Sequence, residues 1–286
     1  MFTKETFLKN NIWRCPSCAS TGLHLRESGK KLSCERCQTT FLKDDDTYIF
    51  LNTAGSYDKQ SNGLRDFFKR WPRFYYTIVI LFGPVFFMGL SPKKFLKKYC
   101  SESPVFNLGS GPRIISPEVI NVDLFPYEGV SIVADIGNLP LSDASSAGII
   151  CADVFEHVSD PERVVQELFR VLKPQACAYI SVPFMYPFHA SPHDFNRWTE
   201  PGLDRLLSGF AIVKKGVRSG PFSTLTVNLC YLVATLFSFG NKSLYWLLVN
   251  MATFIFFPIK YLDSIFGHLP FAINMAAEVY YVIQKK

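Results

Sequence analysis

The first eleven residues, "MFTKETFLKNN", lack the apolar run that a secretory signal requires. We therefore expect the chain to fold in a reducing compartment, where disulfide frameworks are rare. The sequence has eight cysteines, and we expect free thiols or metal ligands. Four of them are scattered, and solitary cysteines usually pack as small apolar side chains; these are Cys100, Cys151, Cys177 and Cys230.

Charge is missing from three long hydrophobic stretches, at 74–92, 219–241 and 243–259. By length they are candidates for crossing a membrane. Basic residues flank the first stretch on both sides and so indicate no orientation. We expect a bent interfacial helix at 74–92 and a hairpin over 222–260 that enters the membrane from its cytoplasmic face, with full spans as the alternative.

Two C-x2-C pairs, separated by fifteen residues, lie near the start of the chain. This spacing is typical of a structural zinc site, in which four thiolates surround the ion and leave no open position. Free thiols or two disulfides are the alternative. A unit of about fifty residues is usually too small for a core of its own, and metal often stabilises it. The predicted zinc ligands are Cys15, Cys18, Cys34 and Cys37.

From Pro104 onward, short apolar runs alternate with a helical pattern, which predicts an α/β fold with a mostly parallel, doubly wound sheet. The helix "PERVVQELFRV" follows Asp160, a predicted N-cap. A dinucleotide-binding loop is less favoured, because G-x-G-x-x-G would need glycine at Ile114 and the acidic residue Asp123 follows Gly111 by only twelve positions. The last residues, "EVYYVIQKK", read as a final strand of the same sheet.

The run "VFNLGSGPR", followed by "INVDLF", "VADIGNLPL" and "DVFEHV", resembles class I S-adenosylmethionine-dependent methyltransferases of the broad type 11 group, over roughly residues 104–219. The resemblance implies a Rossmann-like sheet and S-adenosylmethionine as cofactor. It departs from the family at Asn107, where an acidic residue is usual, and at Arg113, the usual third glycine. The implied cofactor-binding residues are Asn107, Leu108, Gly109, Ser110, Gly111, Asp123, Leu124, Asp135, Ile136 and Asp153.

Within that resemblance, the residue types fit the parts of the cofactor. Gly109 and Gly111 allow the backbone to approach the amino-acid end closely. Asp123, after the second strand, is suited to the ribose hydroxyls. Asp135, after the third strand, is suited to the adenine amino group, with Ile136 against the ring. Taken singly, either aspartate would be better interpreted as a turn or cap residue. Together, at successive strand ends, they favour the binding site.

The stretch "VPFMYPFHASPHDFNRWT", residues 182–199, contains three prolines and is predicted to be a loop. It is similar to a loop of type 11 methyltransferases associated with envelope polysaccharide genes. A hydroxyl acceptor benefits from a general base, and the candidates are His157, His189, His193 and Asp194. The alternatives are a packing role for His157 and a second metal site at the loop histidines.

We expect five segments: a zinc ribbon at 1–53, a linker with a hydrophobic helix at 54–98, the methyltransferase core at 99–219, a hydrophobic helical insertion at 220–275 and a final strand at 276–286. The ribbon resembles small methyltransferase activators and offers a surface for a partner protein. The expected reaction is O-methylation of a lipid-linked or envelope-glycan acceptor at the cytoplasmic face of the membrane. An RNA methyltransferase, with nucleic acid as the less favoured partner, and a non-catalytic scaffold are the alternatives.

Overall fold

The computed structural model describes residues 12–26, 29–51, 77–78, 80–189 and 193–286. Within these residues, eleven strands form one sheet with helices on its faces. The strands are β1 Leu23–Arg26, β2 Lys31–Cys34, β3 Thr40–Asp44, β4 Thr47–Ile49, β5 Val105–Leu108, β6 Ile120–Asp123, β7 Ile132–Val133, β8 Ser146–Ala152, β9 Leu172–Pro183, β10 Phe210–Ser219 and β11 Glu278–Lys285. The α-helices are α1 Pro92–Tyr99, α2 Pro161–Val171, α3 Glu200–Leu206, α4 Pro221–Phe237, α5 Lys242–Phe256 and α6 Asp263–Phe266.

The order of the strands identifies where a ligand should bind. The sheet runs β1-β2-β3-β4-β7-β6-β5-β8-β9-β11-β10, and the strands from β4 to β9 in this order are parallel. The chain builds outward from β5 through β6 to β7 and then returns to place β8 on the other side of β5. Such a reversal creates a crevice beyond the carboxyl ends of the two central strands, here β5 and β8. The predicted doubly wound α/β sheet is confirmed.

The helix α2 forms where the sequence pattern predicted it, with the expected cap and buried face. Asp160 caps it by accepting from the backbone N–H of Arg163, and Pro161 opens the first turn, where its missing N–H is tolerated. Val164 and Leu168 lie on the buried face, four residues apart. Between β5 and β6, by contrast, the short connection forms no helix.

The amino-terminal ribbon continues the sheet. Its four strands form an antiparallel meander, and β4 then pairs in parallel with β7, opposing Tyr48 to Ile132 and Ile49 to Val133. Trp13 is buried against the rings of Tyr48 and Phe50, with centroid distances of 4.7 and 5.1 Å. Ribbon and α/β sheet consequently share one hydrophobic core.

Where the structure describes residues 74–92, it differs from the predicted bent interfacial helix. Residues 74–76 and 79 lie outside the described residues. The described helical turn ends at Phe82, before Pro84, which lacks a backbone N–H. Beyond it the chain pairs with the sheet, since Phe87 bridges Ser219 and the Met88 N–H donates to the Arg218 carbonyl at 2.8 Å. This part of the stretch therefore covers the sheet edge as extended chain.

The hydrophobic residues between β10 and β11 form a helical hairpin. Because β10 and β11 pair along their length, the chain leaves and re-enters the sheet on neighbouring strands. The helices α4 and α5 pack against each other across a turn at 238–241. In the described part of the chain, one helical stretch, Lys242–Phe266, is long and apolar enough to cross a membrane.

Two buried charges tie the base of this hairpin to the rest of the protein. Asp263 is fully buried and accepts from the backbone N–H groups of Phe222 and Ser223, both at 2.8 Å, so it caps α4 from a distance. Lys260 is also fully buried and donates to the carbonyls of Ile80 and Gly83 at 2.7 Å. The base of the hairpin is thus held in a polar setting within the protein.

Candidate active site

The carboxyl ends of β5 and β6 are joined through one carboxylate. Asp123, which is 7% exposed, accepts from the Gly111 N–H through Oδ2 at 2.7 Å and from the Phe125 N–H through Oδ1 at 2.9 Å. Burial raises the pKa of this carboxyl above its usual value. Each oxygen keeps a second lone pair, so the carboxylate is still able to accept from a ligand's hydroxyls.

The glycine turn after β5 requires its glycines. Gly109 has φ +62°, and a Cβ there would lie 2.5 Å from the Val154 side chain at the end of β8. Gly111 has φ +53° and faces open space. The turn therefore brings bare backbone against the crevice between β5 and β8, as a cofactor cradle needs.

The other residues predicted around the first two strands have mixed roles. Asn107 is buried and donates to Asn121 at 3.1 Å, which links β5 to β6. Leu108 belongs to the core, and the Ser110 hydroxyl donates to the Gly111 carbonyl at 3.0 Å. Leu124 is exposed beside Asp123. The amide at Asn107 thus links two neighbouring strands of the sheet.

The third strand supplies the next acidic residue. Asp135 lies after β7 and accepts from the Gly137 N–H at 2.8 Å through Oδ1, a turn that fixes the side chain. The residue itself is exposed, while Ile136 is 9% exposed and joins the main core. The pair offers an acceptor next to an apolar surface at the same edge of the sheet.

The end of β8 is the most unusual part of the site. Asp153 has φ +59°, a conformation that non-glycine residues rarely adopt, and it accepts from the Ser181 hydroxyl at 2.7 Å. Glu156 follows in a short 3-10 turn and is fully buried. Burial, with a smaller effect of Asp153, raises the pKa of Glu156 to about 9. Sequence reasoning missed Glu156, although "FEHV" placed it beside a chosen histidine.

Two of the predicted histidines meet at Glu156. The Nε2 atoms of His157 and His189 lie 3.7 and 3.8 Å from Glu156 Oε1, and the two rings are nearly perpendicular, with centroids 5.2 Å apart. Burial lowers the pKa of His189 below its usual value. His189 lies 32 positions after His157 in the sequence, and the loop after β9 brings it to the adjacent pair Glu156 and His157.

Asp194 and His193 hold this loop in place. Arg197 donates to both carboxylate oxygens of Asp194, and the His189 N–H donates to Asp194 Oδ2 at 2.8 Å. Burial alone would raise the pKa of Asp194, but the bonds from Arg197 and His189 lower it. His193 contributes its carbonyl oxygen to His157 Nδ1. The geometry gives Asp194 a positioning role, because its oxygens are already engaged.

A second set of buried polar residues lies at the ends of β10 and β11. Arg218 and Glu278 are 2% and 8% exposed, and Nε of the first lies 3.9 Å from Oε2 of the second. Burial, then the charge of Asp153, raises the pKa of Glu278 to about 8. Burial raises the pKa of Tyr186, with smaller effects of Glu278 and Tyr231. The Tyr186 ring lies edge-on to the His189 ring, with centroids 5.0 Å apart, a position that the sequence pattern did not reveal.

The four ribbon cysteines converge as predicted. The Sγ atoms of Cys15 and Cys37 are 3.6 Å apart, those of Cys18 and Cys34 are 3.5 Å apart, and all four lie within 4.8 Å of one another. Hydrogen bonds to Thr39 lower the pKa of Cys37 to about 6, which favours the thiolate that a metal binds. Four sulfurs at these separations fit a tetrahedral zinc ion.

The arrangement suits methyl transfer. Bare backbone at the glycine turn, a buried carboxylate at Asp123 and an acceptor at Asp135 lie along one edge of the sheet, where the sequence predicts that the amino-acid, ribose and adenine parts of S-adenosylmethionine bind. The histidines after β8 and β9 lie across the same crevice. When bound, the cofactor supplies an activated methyl group, and the protein's task is to align an acceptor with it.

Comparisons with known proteins agree with this geometry. A family model described as a methyltransferase domain matches residues 115–180, which include Asp123, Asp135 and the turn from Asp153 to His157. A search of curated proteins finds no match.

Solved structures with a similar fold include three methyltransferase systems. An S-adenosylmethionine-dependent methyltransferase from Thermotoga maritima is 18% identical, with 77% of this chain and 99% of that chain covered and a TM-score of 0.44. A complex of the Trm112 methyltransferase activator with a methyltransferase from Haloferax volcanii is 15% identical, covering 77% and 96%, with a TM-score of 0.43. Phosphoethanolamine N-methyltransferase 2 of Haemonchus contortus is 14% identical, covering 77% and 59%, with a TM-score of 0.44. The family match over residues 115–180, together with the geometry of the crevice, identifies the chain as an S-adenosylmethionine-dependent methyltransferase.

Proposed function

We propose that this methyltransferase transfers a methyl group to an oxygen of a lipid-linked or envelope-glycan acceptor at the cytoplasmic face of the membrane. The observation that carries the proposal is the position of the hydrophobic hairpin α4–α5, whose one charged residue is Lys242 at the start of α5, next to the loop after β9. An acceptor with a lipid tail would be able to keep the tail in the bilayer while its polar head enters the crevice.

The acceptor loop and the hairpin are connected through a short chain of contacts. The Phe184 and Met185 N–H groups donate to the carbonyls of Ala277 and Ala276 at 2.8 and 3.1 Å. The carbonyl of the preceding residue, Met275, accepts from the Thr224 hydroxyl of α4 at 2.6 Å. The loop therefore lies against the base of α4, and movement of the hairpin on a membrane would reach the site directly.

The outer face of α5 presents an apolar stripe. Leu247, Met251, Phe254 and Ile255 are all more than half exposed and follow helical spacing on one side of the helix. Leu232 and Leu236 of α4 are exposed to a similar degree. Contiguous apolar surface of this kind on a protein usually marks a contact with a membrane or a partner. We call the exposed residues of α4 and α5 the apolar surface.

The buried base of the hairpin favours entry into one leaflet over a full span. Only 11% of the most apolar part of Lys242–Phe266 is buried in the protein. Near the end of this stretch, however, Lys260 and Asp263 are fully buried and hydrogen-bonded. Helix α4 has 17 residues, or about 25 Å at the usual rise, which is less than the roughly 30 Å of a bilayer core. These features support a hairpin that lies in the membrane interface.

The acceptor loop has the character expected for an amphiphilic head group. Phe188 and Phe195 are 68% and 52% exposed at its surface, beside Arg197 and the two histidines. The loop sequence also resembles that of methyltransferases associated with envelope polysaccharide genes. Because an oxygen acceptor must lose a proton during transfer, histidines at the crevice fit O-methylation better than a purely apolar site would.

We also propose that the ribbon holds a structural zinc ion. Its four sulfurs converge and two of them, those of Cys15 and Cys34, are buried, so all the ligand positions of a tetrahedral ion are provided by the protein. The zinc would keep β1–β4 folded at the edge of the sheet and would take no part in the transfer of the methyl group.

The acceptor class is tested by following a labelled methyl group. Full-length protein is incubated with methyl-labelled S-adenosylmethionine and membranes of its host, and the label is counted in lipid, RNA and protein fractions. We expect the label in the lipid extract, in linkages that resist mild alkali as ethers do. Label in RNA or in protein would contradict the proposal.

The membrane contact is tested with a matched pair of variants. Leu247 on the apolar surface and Leu42 on the ribbon are 55% and 56% exposed. Leu247→Glu should lower binding to anionic vesicles by roughly tenfold, since burying one leucine is worth about 1.5–3 kcal/mol, while Leu42→Glu should leave it unchanged. Equal loss in both variants, or in neither, would exclude the apolar surface as the contact.

A further inference from the structure

Three ligand atoms of different residues converge beside the cofactor crevice. They are Glu156 Oε1 and the Nε2 atoms of His157 and His189, and all lie within 4.8 Å of one another. The two nitrogen–oxygen separations are 3.7 and 3.8 Å. Ligands at about 2.0–2.2 Å from a tetrahedral ion would lie about 3.3 Å apart, so a shift of a few tenths of an ångström closes the site around a cation.

The hydrogen bonds of the histidines leave the right nitrogen available. Nδ1 of His157 bonds to the His193 carbonyl, and Nδ1 of His189 bonds to the Pro187 carbonyl at 3.2 Å. A carbonyl only accepts, so these contacts favour the tautomer with the hydrogen on Nδ1, in which the lone pair is on Nε2. At His189 the Arg197 guanidinium, which only donates, lies farther from Nδ1, at 3.4 Å. Backbone carbonyls at the far nitrogen are the usual way to fix a metal-binding histidine.

Glu156 completes the set with a buried carboxylate that lacks hydrogen-bond partners. It is 0% exposed, and among the described residues neither of its carboxylate oxygens has a hydrogen-bond partner. Its backbone carbonyl accepts from the Phe195 N–H at 2.7 Å, so the loop is fastened to the residue whose side chain is unsatisfied. A buried polar group without a partner is uncommon and indicates an ion or water that satisfies it.

We infer that Glu156, His157 and His189 bind a divalent transition-metal ion, separate from the zinc of the ribbon. Two imidazoles and one carboxylate suit zinc, manganese or iron better than magnesium or calcium, which prefer all-oxygen ligands. Three protein ligands leave open coordination positions, as in catalytic zinc sites. The ribbon, with four sulfurs, is a closed site by the same criterion.

The open positions give the ion a role in acceptor binding, and this part of the inference rests on the proposed O-methylation. A hydroxyl oxygen coordinated there has a lowered pKa and releases its proton to solvent at the mouth of the crevice. The oxygen then forms a bond to the methyl carbon as the carbon–sulfur bond breaks. The sulfonium thereby becomes the neutral thioether of S-adenosylhomocysteine. Coordination also fixes the oxygen in front of the methyl group.

The site is tested with cobalt(II) as a spectroscopic probe on the full-length, zinc-loaded protein. We expect one equivalent of Co2+ to bind with visible ligand-field bands and without the strong near-ultraviolet bands of thiolate ligands. His189→Ala and His157→Gln should each weaken this binding by more than the roughly 10–100-fold that loss of an outer-shell partner costs. Circular dichroism and S-adenosylmethionine binding, measured on the same samples, report whether each variant is folded.

The control is His268→Ala, since His268 is an exposed histidine far along the chain from the cluster. It should bind Co2+ like the unaltered protein. Absence of a second bound metal, or equal binding by the His189 and His268 variants, would overturn the inference. Either result would leave the methyltransferase assignment standing as long as S-adenosylmethionine still binds, so the two claims fail separately.

Discussion

At the scale of single residues, the site is built from side chains that finish neighbouring strands. Asp123 both holds the glycine turn to β6 and keeps lone pairs for a ligand. At the end of β8, Asp153 accepts from the Ser181 hydroxyl and His157 bonds to the His193 carbonyl, while the Glu156 carboxylate has no partner among the described residues. A carboxylate that already serves the backbone is fixed in orientation before the cofactor arrives, which lowers the entropy lost on binding.

The role of Asp123 predicts the effect of replacing its carboxylate with an amide. Asp123→Asn should weaken S-adenosylmethionine binding by about 10–100-fold, because hydrogen bonds to charged groups are worth about 1.5–3 kcal/mol and the amide has one oxygen fewer. Isothermal titration calorimetry measures the change. Asp46→Asn, at an exposed ribbon turn, is the matched control and should bind normally.

The same carboxyl gives a pH dependence. Burial raises the pKa of Asp123 in the free protein, and the ionised form is the one that accepts from ribose. Affinity should therefore be complete above this raised pKa and fall as the pH drops through it, earlier than for an ordinary aspartate. An unchanged affinity in Asp123→Asn at all pH values would remove Asp123 from the cofactor site.

The aspartates of this site were predictable from the sequence, and Glu156 was not. Asp123 and Asp135 each follow an apolar run that reads as a strand, so their place at the sheet edge follows from the pattern. The use of Glu156 depends on His189, which a separate loop brings to it from 33 positions away. The local sequence "FEHV" does not predict that the Glu156 carboxylate is buried without a hydrogen-bond partner.

At the scale of elements, the decisive feature is the pairing of β4 with β7. The pairing covers only two residue pairs, Tyr48 with Ile132 and Ile49 with Val133, but Trp13 adds a buried ring against the same strand. The ribbon and the edge of the α/β sheet thus stabilise each other. The ribbon protects an edge strand that would otherwise present unpaired backbone groups.

This shared core predicts cooperative unfolding. Trp13→Ala should lower the free energy of unfolding by about 3–5 kcal/mol, the range for truncating a buried aromatic residue. Trp13 is 3% exposed and Trp246 is 48% exposed, so Trp246→Ala should cost less than about 1 kcal/mol. Urea titrations followed by circular dichroism measure both. A ribbon that melts alone while the α/β sheet stays intact would contradict the shared core.

At the scale of the whole molecule, the strand order and the hairpin insertion place the crevice next to the apolar surface. The alternation of apolar runs predicted the α/β sheet, and "EVYYVIQKK" predicted the returning strand, since both are local patterns. Two other features depend on contacts between distant segments. They are the pairing of the ribbon with the α/β sheet and the pairing of residues 87–88 with the sheet edge. Periodicity carries no information about such partners, so the sequence left them open.

The central claim is that the crevice between β5 and β8 binds S-adenosylmethionine. Calorimetric titration of the folded, zinc-loaded protein with S-adenosylmethionine tests it most directly. The account predicts saturable binding of one cofactor per chain, lost or strongly weakened in Asp123→Asn and retained in Asp46→Asn. Folded protein that binds no S-adenosylmethionine, or that binds it equally well in both variants, would contradict the account.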